Sequence, residues 1–419
     1  MTATRPLIVG IGAACVLALG ACSSSSSSSS TSGSTTGSTA GTNAGTTSAK
    51  SVLVCEVTDL SGSQGVLTVS EAGGGAAAAS LVNAAGGIKS LGGAKIVIKK
   101  FDTQSNPTMG SQEANAAVSA GCKAIFGGEI TDTVMAATLV THRSSIPWVD
   151  IGGIGDAVHE RGFNDVFQLL TTTTLAEGYM QMLQQVASDF HLSHPTIGLS
   201  VSDTTYGQDF YSAWTKLNAS GQFKVVSNVS YPLGTTDMSS VAARMVSQKP
   251  DILFNMGYPP DGIALTSLFK KTFHTTAKAF LSTAEAPVAM QQLGSLADGQ
   301  LFENTAPPTT STNLTAFNNA YKTVTGQEPS IEAWEGYTAV EFIAAALDKA
   351  GSTSGAAVAT AMHSVTLNAA NGNIYPTDLS FASDGVLNAP PTYWQQDQVG
   401  KLLFVYPASL KQASLIPYS

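Results

Sequence analysis

The chain contains 419 residues, of which 43% are hydrophobic, and its formal net charge at pH 7 is −9. This acidic balance, without a cluster of Lys and Arg, argues against nucleic acid as a partner, because basic side chains dominate the affinity for phosphates. The length exceeds what one ordinary hydrophobic core holds and therefore predicts two lobes.

The N-terminal segment predicts an export signal. Residues 7–21 are mostly apolar and follow Arg5, as in a secretory signal peptide covering residues 1–21. They are too few to span a bilayer, which needs about 20 apolar residues. The sequence LGAC ending at Cys22 resembles the bacterial lipobox, in which the cysteine thiol is acylated. Cleavage without lipid and a retained membrane anchor are the alternatives.

Residues 22–50 predict a lipidated cysteine followed by a tether. The segment after Cys22 is rich in Ser, Thr, Gly and Ala, and its first charged residue is Lys50. Such a composition cannot bury enough apolar surface to fold. We therefore expect a folded domain held by lipid at Cys22 to the outer face of the cytoplasmic membrane.

Two cysteines remain in the folded part. Cys15 leaves with the signal peptide and Cys22 would carry lipid, so Cys55 and Cys122 form one possible pair. Both lie on or beside predicted strands, and an oxidising compartment favours a disulfide between them. Two separate buried thiols are the alternative.

Short β-rich runs alternate with helical runs in the first third of the folded part. The predicted order is strand 52–57, helix 71–85, strand 94–101, helix 106–121, strand 123–127, helix 131–143 and strand 146–151. This βαβ alternation predicts a parallel sheet covered by helices on both faces.

The alternation restarts in the middle of the chain and defines a second α/β unit. Its predicted elements are helix 173–190, strand 196–201, helix 206–220, strand 224–229, helix 237–248, strand 251–256, helix 262–272 and strand 279–283. Helix 331–351 and strands 391–397 and 401–407 follow. A C-terminal part of this size predicts a return of the chain to both units. The expected division is lobe 1 over 51–169, completed by about 302–385, and lobe 2 over 170–301, completed by about 386–419.

Catalytic and metal-binding signatures are weak. The sequence contains no P-loop, and GGIGDAV over 152–158 departs from the dinucleotide fingerprint because Val158 replaces its last glycine. His191 and His194 are followed at once by Pro195, which favours a helix end over a metal site. We therefore expect neither an enzyme nor a cofactor. An amide hydrolase on the same fold is a remote alternative that lacks a recognisable nucleophile–base pair.

Polar groups follow several strands of the first unit, where α/β sheets bind small molecules. Thr131 and Asp132 begin a predicted helix, and a helix N-terminus with a hydroxyl suits a carboxylate. The alternative is that either residue caps its own helix. Gly152, Gly153 and Ile154 follow the next strand and permit a close approach to a ligand, or a tight turn.

Two tyrosines and a glutamate occupy the corresponding loops of the second unit. Tyr206 and Tyr258 could stack on a ligand or donate a hydrogen bond to it, or they could be half-buried packing residues. Glu285 could bind an ammonium group or remain a surface carboxylate.

An ordered set of motifs resembles one known family. VTDLSG, VNAAGGI, FDTQSNP, IFGGEITDTV, IPWVDIGG, YGQDF, KPDILFNMGYPPD, EAWEGYTAVEFIAAAL and LSFASDGVLNAP occur in the family order between residues 51 and 407. The chain thus resembles the type I periplasmic binding proteins of the leucine/isoleucine/valine type, the substrate-binding components of ABC importers. The resemblance implies an α/β fold of two Rossmann-like lobes with parallel sheets, joined by three hinge crossovers.

The resemblance also implies a ligand and roles for site residues. Thr131 and the loop over 152–154 would hold the α-carboxylate of a small amino acid or related carboxylate. Tyr206 and Tyr258 match the family's aromatic positions, and Glu285 corresponds best to a glutamate that binds the α-ammonium group. We expect a monomer that closes on its ligand by hinge motion and passes it to an ABC permease. A ligand-sensing receptor module on the same fold is the alternative.

Overall fold

Runs of Val, Ile, Leu and Phe form strands that are buried on both faces, as expected for parallel sheets covered by helices. The structure of the protein, a computed structural model, describes residues 51–283, 286–388 and 392–418. Cys22, the predicted signal peptide and tether, and Glu285 lie outside the described residues.

The first sheet has five strands in the order β2-β1-β3-β4-β5, and all of its pairs are parallel. The strands are β1 (Ser51–Thr58), β2 (Lys95–Asp102), β3 (Ala124–Gly127), β4 (Trp148–Asp150) and β5 (Val166–Gln168). The short strand β5 has no counterpart among the predicted elements.

The second sheet has seven strands in the order β14-β13-β10-β9-β8-β6-β7. They are β6 (Thr196–Ser202), β7 (Lys224–Tyr231), β8 (Ile252–Met256), β9 (Ala279–Ser282), β10 (Leu301–Asn304), β13 (Tyr393–Gln398) and β14 (Lys401–Tyr406), while β11 (Thr366–Leu367) and β12 (Leu379–Ser380) form a separate pair. β13 and β14 are antiparallel to their neighbours, so one edge of this sheet departs from the predicted parallel arrangement.

Eleven helices are assigned within the described residues, and they cover the sheets. They are α1 (Gly65–Ala84), α2 (Pro107–Ala120), α3 (Thr131–Arg143), α4 (Thr172–Asp189), α5 (Thr205–Leu217), α6 (Ser239–Val246), α7 (Pro259–Lys271), α8 (Ala286–Leu293), α9 (Thr312–Thr325), α10 (Ile331–Ala350) and α11 (Gly355–Met362). Several helices begin at residues of the types that commonly cap helix N-termini. The Asn106 side chain accepts hydrogen bonds from two backbone N–H groups of α2, and the Thr204 side chain accepts one from Gly207 in α5.

Helices α1 and α10 pack closely against each other beside the first sheet. A Cβ added at Gly74 would lie 1.9 Å from the Ala333 carbonyl oxygen, and one added at Gly336 would lie 2.2 Å from that of Glu71. Glycine is therefore required at both positions, because any side chain would push the helices apart. This contact fixes the N-terminal end of α10 beside the first sheet.

The chain passes three times between the two sheets. It leaves the first sheet between β5 and α4, returns between β10 and α9, and passes to β13 after Leu387, whose backbone N–H donates a hydrogen bond to Gln168 beside β5. These passages confirm the predicted two-lobe α/β fold with three crossovers. The residue boundaries of the lobes stay predictions, although β10 extends to Asn304 in the second sheet.

The structure joins Cys55 of β1 to Cys122, which follows α2, in a disulfide. The two Cα atoms lie 5.8 Å apart, and 67 residues separate the cysteines in sequence. Both are buried in a cluster with Val57, Ile125 and Trp148. Of the two alternatives left open by the sequence, the structure therefore contains the bridged one.

Candidate functional site

Loops at the carboxyl ends of both parallel sheets surround a cavity of about 110 Å³. From the first sheet come Glu129 after β3 and Gly152 after β4, and from the second come Tyr206 of α5 and Tyr258, which precedes α7. This is the place where open α/β sheets bind small molecules. The cavity therefore is the candidate binding site.

One side of the cavity is aromatic. The rings of Tyr206 and Tyr258 lie with centroids 5.2 Å apart and planes inclined by 52°. The Tyr258 backbone N–H donates to Asp261, whose carboxylate also accepts a hydrogen bond from Tyr231, and this holds Tyr258 at the start of α7. Both rings are 4% exposed. The two sequence-predicted tyrosines thus form one surface.

A second group of lining residues, the acidic side of the cavity, was not predicted. Glu129 follows β3, Glu332 and Glu335 lie in the first two turns of α10, and Glu303 lies on β10, which belongs to the second sheet. Glu335 accepts a hydrogen bond of 3.0 Å from Thr305, and Glu332 accepts one of 3.0 Å from Ser330. The lining residues that the structure describes include no Lys, Arg or His.

Burial and mutual repulsion disfavour ionisation of these carboxyl groups. Burial raises the pKa of Glu303 to about 8 against the opposing effect of a Tyr179 hydrogen bond. Burial, followed by repulsion from Glu332 and Asp59, raises the pKa of Glu129 well above its usual range. Burial and repulsion from Glu332 do the same for the pKa of Glu335. The site without a ligand therefore retains protons near neutral pH.

The predicted glycine loop borders the cavity in part. Gly152 and Ile154 line it, whereas the Gly153 N–H donates to Asp150 at 3.0 Å and Gly153 is not a lining residue. A Cβ at Gly152 would lie 2.2 Å from Oε2 of Glu129, so this glycine makes room for the glutamate. At this point of the loop, the space that a side chain at position 152 would fill is taken by a carboxyl group of the protein.

Thr131 and Asp132 lie at the start of α3 but do not line the cavity. Thr131 is 1% exposed, and its hydroxyl accepts a hydrogen bond of 3.1 Å from the Gly155 N–H. Asp132 accepts a hydrogen bond from Thr205 of α5. Asp209 of α5 also accepts one, of 3.0 Å, from the Ala157 N–H. Thr131 therefore braces the loop after β4, and Asp132 connects the two lobes.

No group of three or more His, Cys, Asp or Glu side chains in the described ranges is placed to hold a metal ion. Nor does any described helix combine the length and apolar character needed to cross a membrane.

No local pattern in the sequence indicated that the glutamates of the acidic side line a binding site. Glu129 lies two residues before Thr131, and Glu332 and Glu335 look like the acidic residues that commonly begin a helix. Glu303 lies on a strand that was not predicted. An acidic residue two positions after a buried strand is the one signal that could have identified Glu129.

Comparisons with known proteins agree with this architecture. The family model for periplasmic binding proteins matches residues 54–390. Leu/Ile/Val-binding protein homolog 8 of Brucella abortus (strain 2308) is 27% identical over 283 residues, which cover 64% of this chain and 69% of that protein. Homolog 7 of Brucella melitensis biotype 1 is 25% identical over 341 residues, which cover 78% of this chain and 84% of the relative.

Solved structures show the same fold. The branched-chain amino acid transporter substrate binding protein LivJ from Streptococcus pneumoniae, in complex with isoleucine, aligns with a TM-score of 0.71 and 18% identity, covering 84% of this chain and 98% of LivJ. A solute binding protein from R. palustris in complex with benzoate aligns with a TM-score of 0.71 and 15% identity, covering 88% of this chain and 97% of that one.

Fold and family together define an extracytoplasmic solute-binding protein of the branched-chain amino acid ABC transporter type, a class of binding proteins and not of enzymes. The chain belongs to the periplasmic binding protein family, in its type I leucine/isoleucine/valine-binding form.

Proposed function

We propose that this protein is the lipid-anchored solute receptor of an ABC importer and holds one small organic solute in the cavity between its two lobes. The observation that carries the proposal is the convergence of Tyr206, Tyr258, Gly152 and Ile154 from two sheets on one cavity. Such a site needs relative motion of the lobes to admit and release its solute. The contacts of Asp132 and Asp209 across the lobes are ones that such motion would break.

The predicted amino acid or small carboxylate receives partial support from the lining. Carboxyl groups of Glu129, Glu303 and Glu335 suit the ammonium half of an amino acid. The relatives solved with isoleucine and with benzoate show that this fold accommodates both classes of ligand. The residues that line the cavity indicate the ligand of this protein more directly than those relatives do.

A binding screen with a matched pair of variants tests the site. Full-length protein, refolded once to remove any bound solute, is tested by thermal shift against amino acids, amides, amines, carboxylates and sugars. A ligand at 100 times its Kd adds about 2.7 kcal/mol of stability. Tyr258→Leu should abolish the shift, whereas Tyr211→Leu, on α5 but outside the lining, should preserve it. Equal loss in both variants, or a shift that persists in Tyr258→Leu, would contradict this site.

The anchor and the transport step need a separate test in cells. Cys22→Ser should release the protein from the membrane fraction, and the intact mass of the membrane-extracted wild-type protein should exceed that of its polypeptide by the attached lipid. Loss of uptake of the identified solute after deletion of the gene, restored by the wild type, would support import. Unchanged mass and fractionation in Cys22→Ser would contradict the anchor.

A further inference from the structure

The ligand site concentrates carboxyl groups, and no Lys, Arg or His is among the lining residues that the structure describes. Glu129, Glu303, Glu332 and Glu335 line the cavity, and Asp59 and Asp150 lie close enough to repel Glu129. These carboxyl groups come from both sheets and from α10. Buried carboxylates are normally paired with cations, because an unpaired buried charge is costly.

Lys100 and Arg161, two basic residues of the first lobe, interact with groups outside the cavity lining. The Lys100 Nζ lies 3.8 Å from Glu56, and Arg161 interacts with Asp150 while its guanidinium donates to the Met135 carbonyl and the Thr138 hydroxyl. Neither lines the cavity. Residues 284–285 and 389–391, which the structure does not describe, contain no basic residue in their sequence. Glu129, Glu303 and Glu335 therefore face the cavity without a basic side chain among the described lining residues.

The place expected to hold a ligand carboxylate is occupied by the protein itself. At the start of α3, the Ile130 N–H donates to Oδ2 of Asp59 at 3.3 Å, and the Thr131 hydroxyl accepts from Gly155. Glu129 fills the space beside Gly152. A ligand carboxylate at this point would face Asp59 and Glu129 and could bind only while these groups keep their protons, whereas a cation would favour their ionised forms.

A second observation, independent of the acidic cluster, also indicates a ligand. The Tyr258 hydroxyl is buried and makes no hydrogen bond in the described structure, although Thr204 is near enough to affect its pKa. Tyr258 lines the cavity beside Tyr206. An unsatisfied buried hydroxyl is expensive unless a ligand completes it. Two aromatic rings and several carboxyl groups that line one cavity form the surroundings that organic cations prefer.

We propose that the solute is an organic cation, an amine or a related ammonium compound, that presents positive charge and no carboxylate to Glu129, Glu303 and Glu335. This inference rests on the proposed function, whose site it uses. A metal ion is not favoured, because the described carboxyl groups include no set of three placed to bind one. The ammonium would contact the carboxyl groups, and the body of the ligand would lie against Tyr206 and Tyr258.

Matched pairs of compounds test the sign of the recognised charge. Titration calorimetry on the full-length protein compares tyramine with tyrosine, isoamylamine with leucine, putrescine with ornithine, agmatine with arginine, and benzylamine with benzoate. We expect at least one amine to bind with a Kd below about 1 mM and at least about tenfold more tightly than its carboxyl-bearing partner. Tighter binding of the amino acids or of benzoate, with weak or absent binding of all amines, would overturn the inference.

A matched pair of variants separates a charge contact from a general loss of structure. Glu335→Gln should weaken binding of the best amine by about tenfold or more, because it removes a charged hydrogen-bonding partner. Glu341→Gln is the control, since Glu341 is also a buried glutamate of α10 but does not line this cavity. Equal effects of both variants, or no effect of Glu335→Gln, would contradict the proposed contact.

The result also separates this inference from the proposed function. Carboxylates or uncharged solutes that bind, and lose binding in Tyr258→Leu, would leave the receptor and its site in place while removing the organic cation. Absence of binding by every class of compound would contradict both.

Discussion

The two sides of the cavity differ in chemistry and in what supports them. The aromatic side, Tyr206 and Tyr258, extends into a core of rings and aliphatic side chains around the second sheet. The acidic side includes Glu129 and the start of α10, and two further buried glutamates lie in the first lobe: Glu56, which contacts Lys100, and Glu71, which accepts a hydrogen bond from Thr58. The aromatic side can recognise shape, and the acidic side can recognise charge.

This difference has a thermodynamic consequence. Burial of rings stabilises both lobes, whereas burial of ionisable groups costs stability, and Glu56, Glu71 and Glu129 place much of that cost in the first lobe. The disulfide between Cys55 and Cys122 lies in the first lobe, and the second lobe has no cysteine in its sequence. We interpret the disulfide as an offset to the cost of the acidic groups. Removing the disulfide, or removing one of the buried acidic groups, should therefore change the unfolding free energy measurably.

The largest expected effect follows removal of the disulfide. The disulfide closes a loop in which 67 residues separate the cysteines. The Cys55→Ala/Cys122→Ala double variant should lose about 4 kcal/mol of unfolding free energy, because the unfolded chain regains the entropy that closing such a loop removes. Urea unfolding of the oxidised wild type and of the variant measures this loss. A difference below about 1 kcal/mol would show that the bridge does not support the first lobe.

The next effect concerns pH. Because the folded-state pKa of Glu303 is raised from 4.5 to about 8, its contribution favours folding at low pH and is lost progressively as pH rises through that interval. The unfolding free energy of the ligand-free protein should therefore fall with pH, by at most about 1.4 kcal/mol per pH unit for each such group.

The variant Glu303→Gln sharpens this test. It should flatten the dependence of the unfolding free energy on pH between 4.5 and about 8 and raise stability at the upper end. The control Glu177→Gln replaces an exposed glutamate of α4 and should preserve the wild-type slope. A slope unchanged by Glu303→Gln would mean that Glu303 is ionised in the folded protein.

A smaller effect is expected at the glycine loop. Gly152→Ala would place its Cβ 2.2 Å from Oε2 of Glu129, so the carboxyl group must move. We expect about 1 kcal/mol of lost binding energy, or roughly fivefold in Kd, for the best amine. Gly162→Ala, where an added Cβ meets no atom within 4 Å but φ is +70°, controls for backbone strain alone. Unchanged affinity in Gly152→Ala would place the ligand away from Glu129.

The fold could be predicted from the sequence because long periodic elements determine it. Helix α3 was predicted at its observed bounds, and β6 within one residue. The strands β5 and β10 were missed, since three or four residues such as VFQ or LFEN carry no readable period. Pairing with neighbouring strands, which is not visible in the local sequence, determines them.

Only part of the site could be predicted, because its acidic residues, like the short strands, are brought into place by contacts that are not visible in the local sequence. Tyr206 and Tyr258 follow recognisable strands, so their loops could be located and their convergence expected. The acidic residues come from a loop, a missed strand and a helix that is distant in sequence, and only the tertiary structure brings them together. The role of Thr131 in ligand binding stays a prediction, and the sequence does not reveal that the Gly155 N–H donates to its hydroxyl.

The most direct test of the central claim is the number of protons exchanged when the best-binding amine of the matched pairs enters the cavity. Titration calorimetry in two buffers that differ in ionisation enthalpy measures this number and its sign. We expect proton release, with affinity rising as pH increases towards about 8, because the bound cation favours ionised Glu129, Glu303 and Glu335. Proton uptake, or no exchange at all, would contradict an acidic site that recognises a cation.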